Sequence, residues 1–139
     1  MNRHLLRKAV LDILYQSYLL GIVIEDAMIK ESAYRRELTD DYVMKLLLGI
    51  SKNRKYIDGE IEKYSKNWTL ERMSLIDRNI LRIAIFEIKF LDDIPYRVSI
   101  DEAVELAKNF SSDDAGRFVN GIIANYVESQ QKEDIESTK

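Results

Sequence analysis

Basic side chains gather at the amino terminus, and two tyrosines follow them. The basic residues of this segment are Arg3, His4, Arg7 and Lys8. Arg3 and Arg7 are four residues apart, so they share one face of a helix, which Tyr15 and Tyr18 extend by two to three turns. Because guanidinium groups neutralise phosphates and aromatic rings stack on bases, this face suits single-stranded RNA. A solvated face with half-buried tyrosines is the alternative, which so short a charge pattern favours when taken alone.

A second group of chemically capable residues surrounds Phe118, near the start of the last predicted helix. On a helical wheel Phe118 lies at the edge of the apolar stripe, beside Asp114 and Asn125. There the ring could offer its face to an RNA base while Arg117 meets a phosphate. The alternative is that Phe118 is simply part of the core. Gly121 indicates close approach to the helix backbone, most simply by another helix.

Two carboxylates, Asp77 and Glu87, fall inside the apolar arc of a predicted central helix. A carboxylate in such a place must be paired or must face a partner, because burying an isolated charge is costly. The two are ten residues apart, about 15 Å along a helix, which is too far for an acid–base couple. We expect a partner contact or an internal ion pair with an arginine.

Several kinds of chemistry are excluded by residues that the chain lacks. With no cysteine there is no disulfide framework, thiolate metal site or cysteine nucleophile. A single histidine, His4, argues against histidine-based zinc sites and a Ser-His-Asp triad. The aspartate doublets do not have the spacing of a calcium loop. We therefore expect a protein that is not an enzyme and uses no metal or other cofactor.

Composition and charge set the remaining limits. The 139 residues, 46% of them apolar, suffice for one domain or for two small helical halves that share a core. The net charge of −3 argues against sequence-blind nucleic-acid binding, so any RNA site must be local. Charges interrupt the amino-terminal apolar run, and no stretch approaches the roughly 18 apolar residues of a membrane span. We expect a cytoplasmic protein that does not bind membranes.

Apolar periodicity and capping residues predict six helical segments and thus an all-α protein. In chain order they are residues 3–20, residues 25–36, a third segment capped by Thr39 or Asp40 that runs to 64, a fourth capped by Thr69, a fifth opened by a capping box at 99–102, and a sixth capped by Asp113 or Asp114.

The same pattern predicts how the helices are arranged. Residues 75–91 are apolar nearly all round, as expected of the central helix of a bundle. Gly49 indicates close helix packing. The chain becomes polar after Ser129, so we expect a helical domain over 1–129 and a disordered tail over 130–139.

Six segments, in order and spacing, resemble the NusB family over residues 3 to 127. They are Arg7-Lys-Ala-Val-Leu-Asp-Ile-Leu-Tyr-Gln16, Trp68-Thr-Leu-Glu-Arg72, Ile76-Asp-Arg-Asn-Ile-Leu-Arg-Ile-Ala-Ile-Phe-Glu-Ile88, Ile94-Pro-Tyr-Arg-Val98, Ile100-Asp-Glu-Ala-Val-Glu-Leu-Ala-Lys108 and Arg117-Phe-Val-Asn-Gly-Ile122.

The resemblance implies an all-α fold of two three-helix bundles in one domain. It implies a transcription antitermination factor that binds the boxA element of nascent ribosomal RNA transcripts together with the ribosomal protein NusE. The pair would help the RNA polymerase elongation complex, with other Nus factors, to resist termination. RNA contact is implied for Arg3, His4, Arg7, Asp114, Arg117 and Phe118, and partner contact for Tyr15 and Asp77. The resemblance leaves a monomer and a homodimer both open.

Two other functions fit parts of the pattern. A NusB-like domain also precedes some ribosomal RNA cytosine methyltransferases, although 139 residues leave no room for a methyltransferase domain. The other alternative is a helical protein-interaction scaffold without RNA specificity of its own, which would use Tyr15 and Asp77 alone.

Overall fold

The computed structural model describes residues 2–66 and 68–137. These residues form seven α-helices, and no β-strand occurs among them. The helices are α1 (Arg3–Leu20), α2 (Ile24–Glu31), α3 (Asp41–Lys52), α4 (Arg54–Tyr64), α5 (Leu75–Phe90), α6 (Tyr96–Phe110) and α7 (Asp113–Ser137). Short 3-10 turns, Arg36–Thr39 and Leu70–Arg72, precede α3 and α5. The prediction of an all-α protein is confirmed.

The helices form two halves around a shared core. In the first half α1, α2 and α3 pack against one another, and in the second half α5, α6 and α7 do so. Helix α4 packs against α5 and α7. Helix α5 contacts α1, α3, α4, α6 and α7, and it is buried almost continuously from Asn79 to Ile88. Its apolar surface therefore joins both halves, as the sequence predicted for the central helix.

The third predicted segment is two helices, because the chain breaks at Asn53. The backbone N–H and the side-chain Nδ2 of Asn53 both donate to the carbonyl of Gly49, at 2.9 and 2.8 Å. These bonds close the end of α3, and α4 begins at the next residue. The break was invisible in the sequence because Ile50, Ile57 and Ile61 all face the core and keep the apolar period unbroken.

Three other helix ends differ from their predicted positions. Helix α5 is capped by Ser74 and not by Thr69: the Ser74 hydroxyl accepts the N–H of Asp77 at 3.0 Å. Helix α7 is capped by Ser112, which accepts the N–H of Ala115 at 3.0 Å, and not by the aspartates after it. Helix α2 ends at Glu31, five residues earlier than predicted.

The predicted capping box at 99–102 does not open α6. The helix begins at Tyr96, after Pro95, which has a fixed φ of −59° and occupies the N-cap position. Ser99 therefore lies inside the helix, where it is buried and donates to Glu87 at 2.8 Å. A serine hydroxyl can either cap a helix or make a hydrogen bond in the core, so the sequence pattern alone could not distinguish the two roles of Ser99.

Helix α7 continues to Ser137, whereas the sequence predicted a disordered tail from residue 130. Gln130 is buried and accepts a hydrogen bond from Lys89 at 3.3 Å. Further along, Tyr96 donates to Asp134, also at 3.3 Å. These polar contacts hold a segment that has little apolar surface of its own. The last two residues of the predicted tail, 138 and 139, lie outside the described residues.

Helix packing explains one of the glycines. A Cβ at Gly49 would lie 2.1 Å from the ring of Phe86, so that α3 can approach α5 only without a side chain there. The prediction of close packing at Gly49 is confirmed. Within the described part of the chain, no helix is both long and apolar enough to cross a membrane.

Candidate nucleic-acid and partner interface

Arg7 is not on the exposed basic face where the sequence placed it. Its side chain is 4% exposed and forms a two-pronged ion pair with Glu87, at 2.8 and 3.0 Å. Burial acts to lower the pKa of Arg7, but the hydrogen bonds and charge of Glu87 outweigh it and raise that pKa. Arg7 is therefore a charged structural residue, and its guanidinium is not available to RNA.

The Glu87 carboxylate is the centre of a buried polar network. Besides Arg7, it accepts hydrogen bonds from the hydroxyls of Tyr42 and Ser99. Burial, together with the charge of Glu87, raises the pKa of the Tyr42 phenol, which stays protonated. The network ties α1, α3 and α6 to α5. The internal ion pair expected for a carboxylate in the apolar arc is thus confirmed for Glu87.

The rest of the basic face remains accessible but is paired with carboxylates. Arg3 lies over the ring of Tyr42, 4.6 Å from its centroid, and 3.9 Å from Asp93. His4 is 2.9 Å from Glu102 on α6. Both basic side chains are about half exposed and line one shallow pocket next to Pro95. Two of the predicted RNA contacts are therefore adjacent, in surroundings that are nearly neutral.

Phe118 lines a second depression, which we call the aromatic groove. Its lining includes Trp68, Arg72, Asp77, Asp114 and Phe118. Phe118 is partly buried and meets the edge of Trp68 at a centroid separation of 6.1 Å. The Arg72 guanidinium lies over the Trp68 ring, 4.9 Å from its centroid. A cation and two aromatic rings in one open groove provide the contacts that an unpaired base requires.

Asp77 lies on the floor of this groove with part of its carboxylate unpaired. The residue is 9% exposed, and its Oδ1 is buried without a hydrogen-bond partner among the described residues. It occupies the first turn of α5, where the helix dipole stabilises a negative charge. The side chain thus lines the groove with an acceptor that no described donor satisfies.

Tyr15 lines a third depression, which we call the side groove. The ring is 41% exposed and lies near Lys8, Ile76, Asn79 and Phe110. The Nδ2 of Asn79 is buried without a partner within the described chain, which leaves a hydrogen-bond donor in the lining. The groove is mostly apolar, with a few polar groups at its edges, as expected of a protein contact.

The aromatic groove and the side groove are neighbours. Ile76 lines one and Asp77, the next residue, lines the other. Phe110 likewise lines the side groove, and Ser112, two residues further on, lines the aromatic groove. The structure thus brings Tyr15, Asp77 and Phe118 to one side of the molecule, although each comes from a different helix.

Arg117, Asp114 and Gly121 are exposed on the last helix. Arg117 and Asp114 pair with each other on the exposed surface and are 72% and 89% exposed. The expectation that another helix covers Gly121 is wrong, because a Cβ there would meet no atom of any other described helix within 4 Å. Sequence reasoning missed Trp68 and Arg72 as site residues. The only signal was their four-residue spacing, since the contact of Trp68 with Phe118 depends on the tertiary fold.

Fold and grooves together define a small all-helical binding protein that presents charged and aromatic depressions to its partners. Among the described residues, no group of three or more His, Cys, Asp or Glu side chains could hold a metal ion. The NusB family model matches residues 4–128. The chain belongs to the NusB family.

Individual relatives agree with this assignment. The chain is similar to the transcription antitermination protein NusB of Clostridium botulinum, with 38% identity over 91% of this chain and all of that protein. Among solved structures, T. maritima NusB superimposes with a TM-score of 0.82 at 34% identity and 92% coverage of both chains. A structure of the antitermination factors NusB and NusE in complex with dsRNA has the same fold, at a TM-score of 0.75 and 24% identity, over 93% of this chain and 99% of that one.

Proposed function

We propose that this protein is a transcription antitermination factor that binds boxA RNA of nascent ribosomal RNA transcripts jointly with the ribosomal protein NusE. It would act in the cytoplasm, as a binding protein and not an enzyme, on the RNA polymerase elongation complex with other Nus factors. Membership of the NusB family and the similarity to an antitermination protein support this function. A chain of the same fold has also been solved with NusE and dsRNA.

One observation carries the proposal: the aromatic groove holds a base-stacking surface and an unsatisfied acceptor side by side. Phe118, with Trp68 at its edge, offers a ring to a base, and Asp77 offers a buried Oδ1 to a donor from the partner. The neighbouring side groove adds Tyr15 to the partner contact. Arg117 and Asp114, at the rim, approach the RNA backbone and the exposed edge of the base.

Arg3 and His4 extend the RNA contact at the other end of the surface. Their pairing with Asp93 and Glu102 leaves little net positive charge. Without that charge, the phosphate attraction that dominates most RNA binding is weak. We infer that the chain alone binds boxA weakly and that NusE supplies the missing contacts.

The proposal is tested by titrating labelled boxA RNA with the protein, with and without NusE. We expect NusE to tighten binding, and Phe118→Ala to weaken it by roughly 10-fold or more, the effect of losing a base stack. Arg117→Gln, at an exposed position, should weaken binding without affecting the fold. Asp77→Asn should reduce the gain from NusE and leave the affinity of the chain alone unchanged.

Tyr34→Ala is the matched control, because Tyr34 is 83% exposed and outside the three depressions. Circular dichroism of each variant verifies the fold. An affinity that responds neither to NusE nor to Phe118→Ala and Arg117→Gln contradicts the proposal. The helical scaffold without RNA specificity would then be the better description.

A further inference from the structure

A groove runs along α7 from the aromatic groove towards the carboxyl end, and the proposed function uses only its first residues, Arg117 and Phe118. We call it the α4–α7 groove; its lining includes Lys63, Lys66, Arg117, Gly121, Asn125 and Lys132. Lys66 and Asn125 line both of its halves, and Phe118 lines both it and the aromatic groove. The two grooves therefore form one continuous path on the surface.

The charge of this groove is opposite to that of the chain. Four cationic side chains line it, Lys63, Lys66, Arg117 and Lys132, against a single carboxylate, Glu128. That carboxylate pairs with Lys132 at 3.5 Å, and Arg117 pairs with Asp114 beside the groove, all four groups being largely exposed. Neither Lys63 nor Lys66 forms an ion pair within the described chain. A locally basic path on a protein of net charge −3 indicates a polyanionic ligand.

The backbone at Lys66 adds to this evidence. Its φ is +49°, in the left-handed region that glycine or asparagine adopts more readily. The residue follows the end of α4, where a glycine commonly closes the helix. Backbone preference therefore does not explain a lysine at this position, whereas the charge of the groove does.

Gly121 leaves the groove open next to Phe118. A glycine within a helix is unfavourable relative to alanine, and it is usually explained by a close neighbour. Among the described residues no such neighbour is present, since no atom from outside this stretch of helix lies within 4 Å of the position of a Cβ. The space is thus free in the isolated protein and lets a ligand approach the backbone of α7.

Length and aromatic content identify the class of ligand. The path from Phe118 to Lys132 spans fourteen residue-to-residue steps of α7, or about 21 Å, enough for on the order of four nucleotides. Tyr64 and Trp68 line it and offer ring surfaces for sequence-tolerant stacking. An acidic peptide would use the charge but not this continuity with the base-stacking site.

We propose that the α4–α7 groove holds the single-stranded RNA that flanks the element bound at Phe118, through phosphate contacts and stacking and without reading the base sequence. This inference rests on the proposed function. It identifies a second part of the RNA footprint, made by the carboxyl-terminal half of α7 and the end of α4.

The test compares a short boxA RNA with the same RNA extended by about four uridines at either end, each titrated in the presence of NusE. For the unmodified protein, one of the extensions should tighten binding roughly 10-fold at low salt and steepen its salt dependence. In the triple variant Lys63→Gln, Lys66→Gln, Lys132→Gln this gain should disappear. The slope of log K against log salt on the extended RNA should fall by about 2, while affinity for the short RNA stays within about twofold.

Two controls match these changes. Lys30→Gln, Lys45→Gln and Lys52→Gln together remove the same charge from exposed positions outside the groove and should leave the gain intact. Gly121→Gln should block the groove and abolish the gain. Gly59→Gln alters another exposed helical glycine with free space around it and should leave the gain unchanged.

The outcomes separate this inference from the proposed function. If the unmodified protein with NusE does not bind the short boxA RNA, the proposed function fails. If it binds the short RNA but neither extension helps, the inference alone is overturned. The inference is also overturned if both lysine triples weaken extended RNA equally, or if an Asp- and Glu-rich peptide binds the groove and the uridine extensions do not.

Discussion

At the scale of single residues, Arg7, one of the predicted RNA contacts, proves to be a buried residue of the core. Arg7 reaches inward to Glu87, eighty positions away in the chain, and the hydroxyls of Tyr42 and Ser99 complete the carboxylate's hydrogen bonds. A buried pair of this kind is costly to break, because the remaining partner is left charged in a medium that solvates it poorly. The consequence is that Arg7 variants report on folding and not on RNA.

Arg7→Met should lower the free energy of unfolding by roughly 3–5 kcal/mol, since it leaves Glu87 buried without its counter-charge. Arg3→Met is the control: Arg3 is about half exposed, its pairing with Asp93 is long, and its loss should cost less than about 1 kcal/mol. Urea unfolding followed by circular dichroism measures both. Equal destabilisation by the two substitutions would contradict the structural role of Arg7.

Buried tyrosines make stability depend on alkaline pH. Burial raises the pKa of Tyr126, and burial with the charge of Glu87 raises that of Tyr42, so both stay protonated in the folded state. In the unfolded chain tyrosine ionises near pH 10, so the unfolded state gains free energy above that pH. The contribution of these two protonated phenols to the free energy of unfolding is thus fully present below about pH 10. Above that pH it is lost by about 1.4 kcal/mol per pH unit for each phenol.

Urea unfolding between about pH 9 and about pH 11 measures this loss. Tyr126→Phe should make the decline shallower, because one of the two protonated phenols is gone. Tyr34→Phe is the control and should leave the slope unchanged, since Tyr34 is exposed. Identical slopes for the unmodified protein and both variants would show that burial of Tyr126 does not set the alkaline limit.

At the scale of the helices, the sequence predicted which residues are buried better than it predicted where each helix begins and ends. Leu6, Val10 and Ile13 are buried at helical spacing, as the wheel required. A helical wheel shows only the direction in which each residue leaves the helix axis, however. It could not show that the long side chain of Arg7 bends back towards the core. The ends depended on single hydrogen bonds, such as those of Asn53 and Ser112, which several neighbouring residues could have formed equally well.

The contact between α3 and α5 gives a prediction at this scale. Gly49→Ala places a methyl group 2.1 Å from the Phe86 ring, and the overpacking should destabilise the protein by about 1–3 kcal/mol despite alanine's better helix propensity. Gly59→Ala meets no neighbour and should stabilise the protein by up to about 1 kcal/mol. Thermal and urea unfolding compare the two.

A second substitution tests the cause of the effect of Gly49→Ala. Phe86→Leu introduced into that variant removes the clashing ring and should recover part of the lost stability relative to Gly49→Ala alone. If Gly49→Ala is as stable as Gly59→Ala, the two helices are not in close contact at Gly49, and the account of this packing is wrong.

At the scale of the whole molecule, the sites come from residues far apart in the chain. Asp77 and Phe118 were predicted from their places on helix wheels, but the edge contact of Phe118 with Trp68 joins residues fifty positions apart. No local pattern could predict that contact, nor the open space at Gly121. The sequence thus predicted the fold, while the shape of the grooves that Asp77 and Phe118 line depended on the tertiary arrangement.

The same arrangement accounts for joint binding. The basic amino terminus of this chain of net charge −3 is paired with carboxylates, so by itself that end of the surface should have little attraction for RNA. Its side groove and aromatic groove border each other, so under the proposed function a protein bound at Tyr15 and Asp77 would lie next to an RNA base at Phe118. Binding of each ligand should therefore assist binding of the other.

The most direct test is a calorimetric titration of boxA RNA into the protein, alone and saturated with NusE, together with the reverse pair of titrations. Joint binding predicts that NusE raises the affinity for RNA, and that RNA raises the affinity for NusE by the same factor, roughly 5-fold or more. Asp77→Asn should reduce both factors equally. Affinities for each ligand that do not change when the other is present would contradict a joint site.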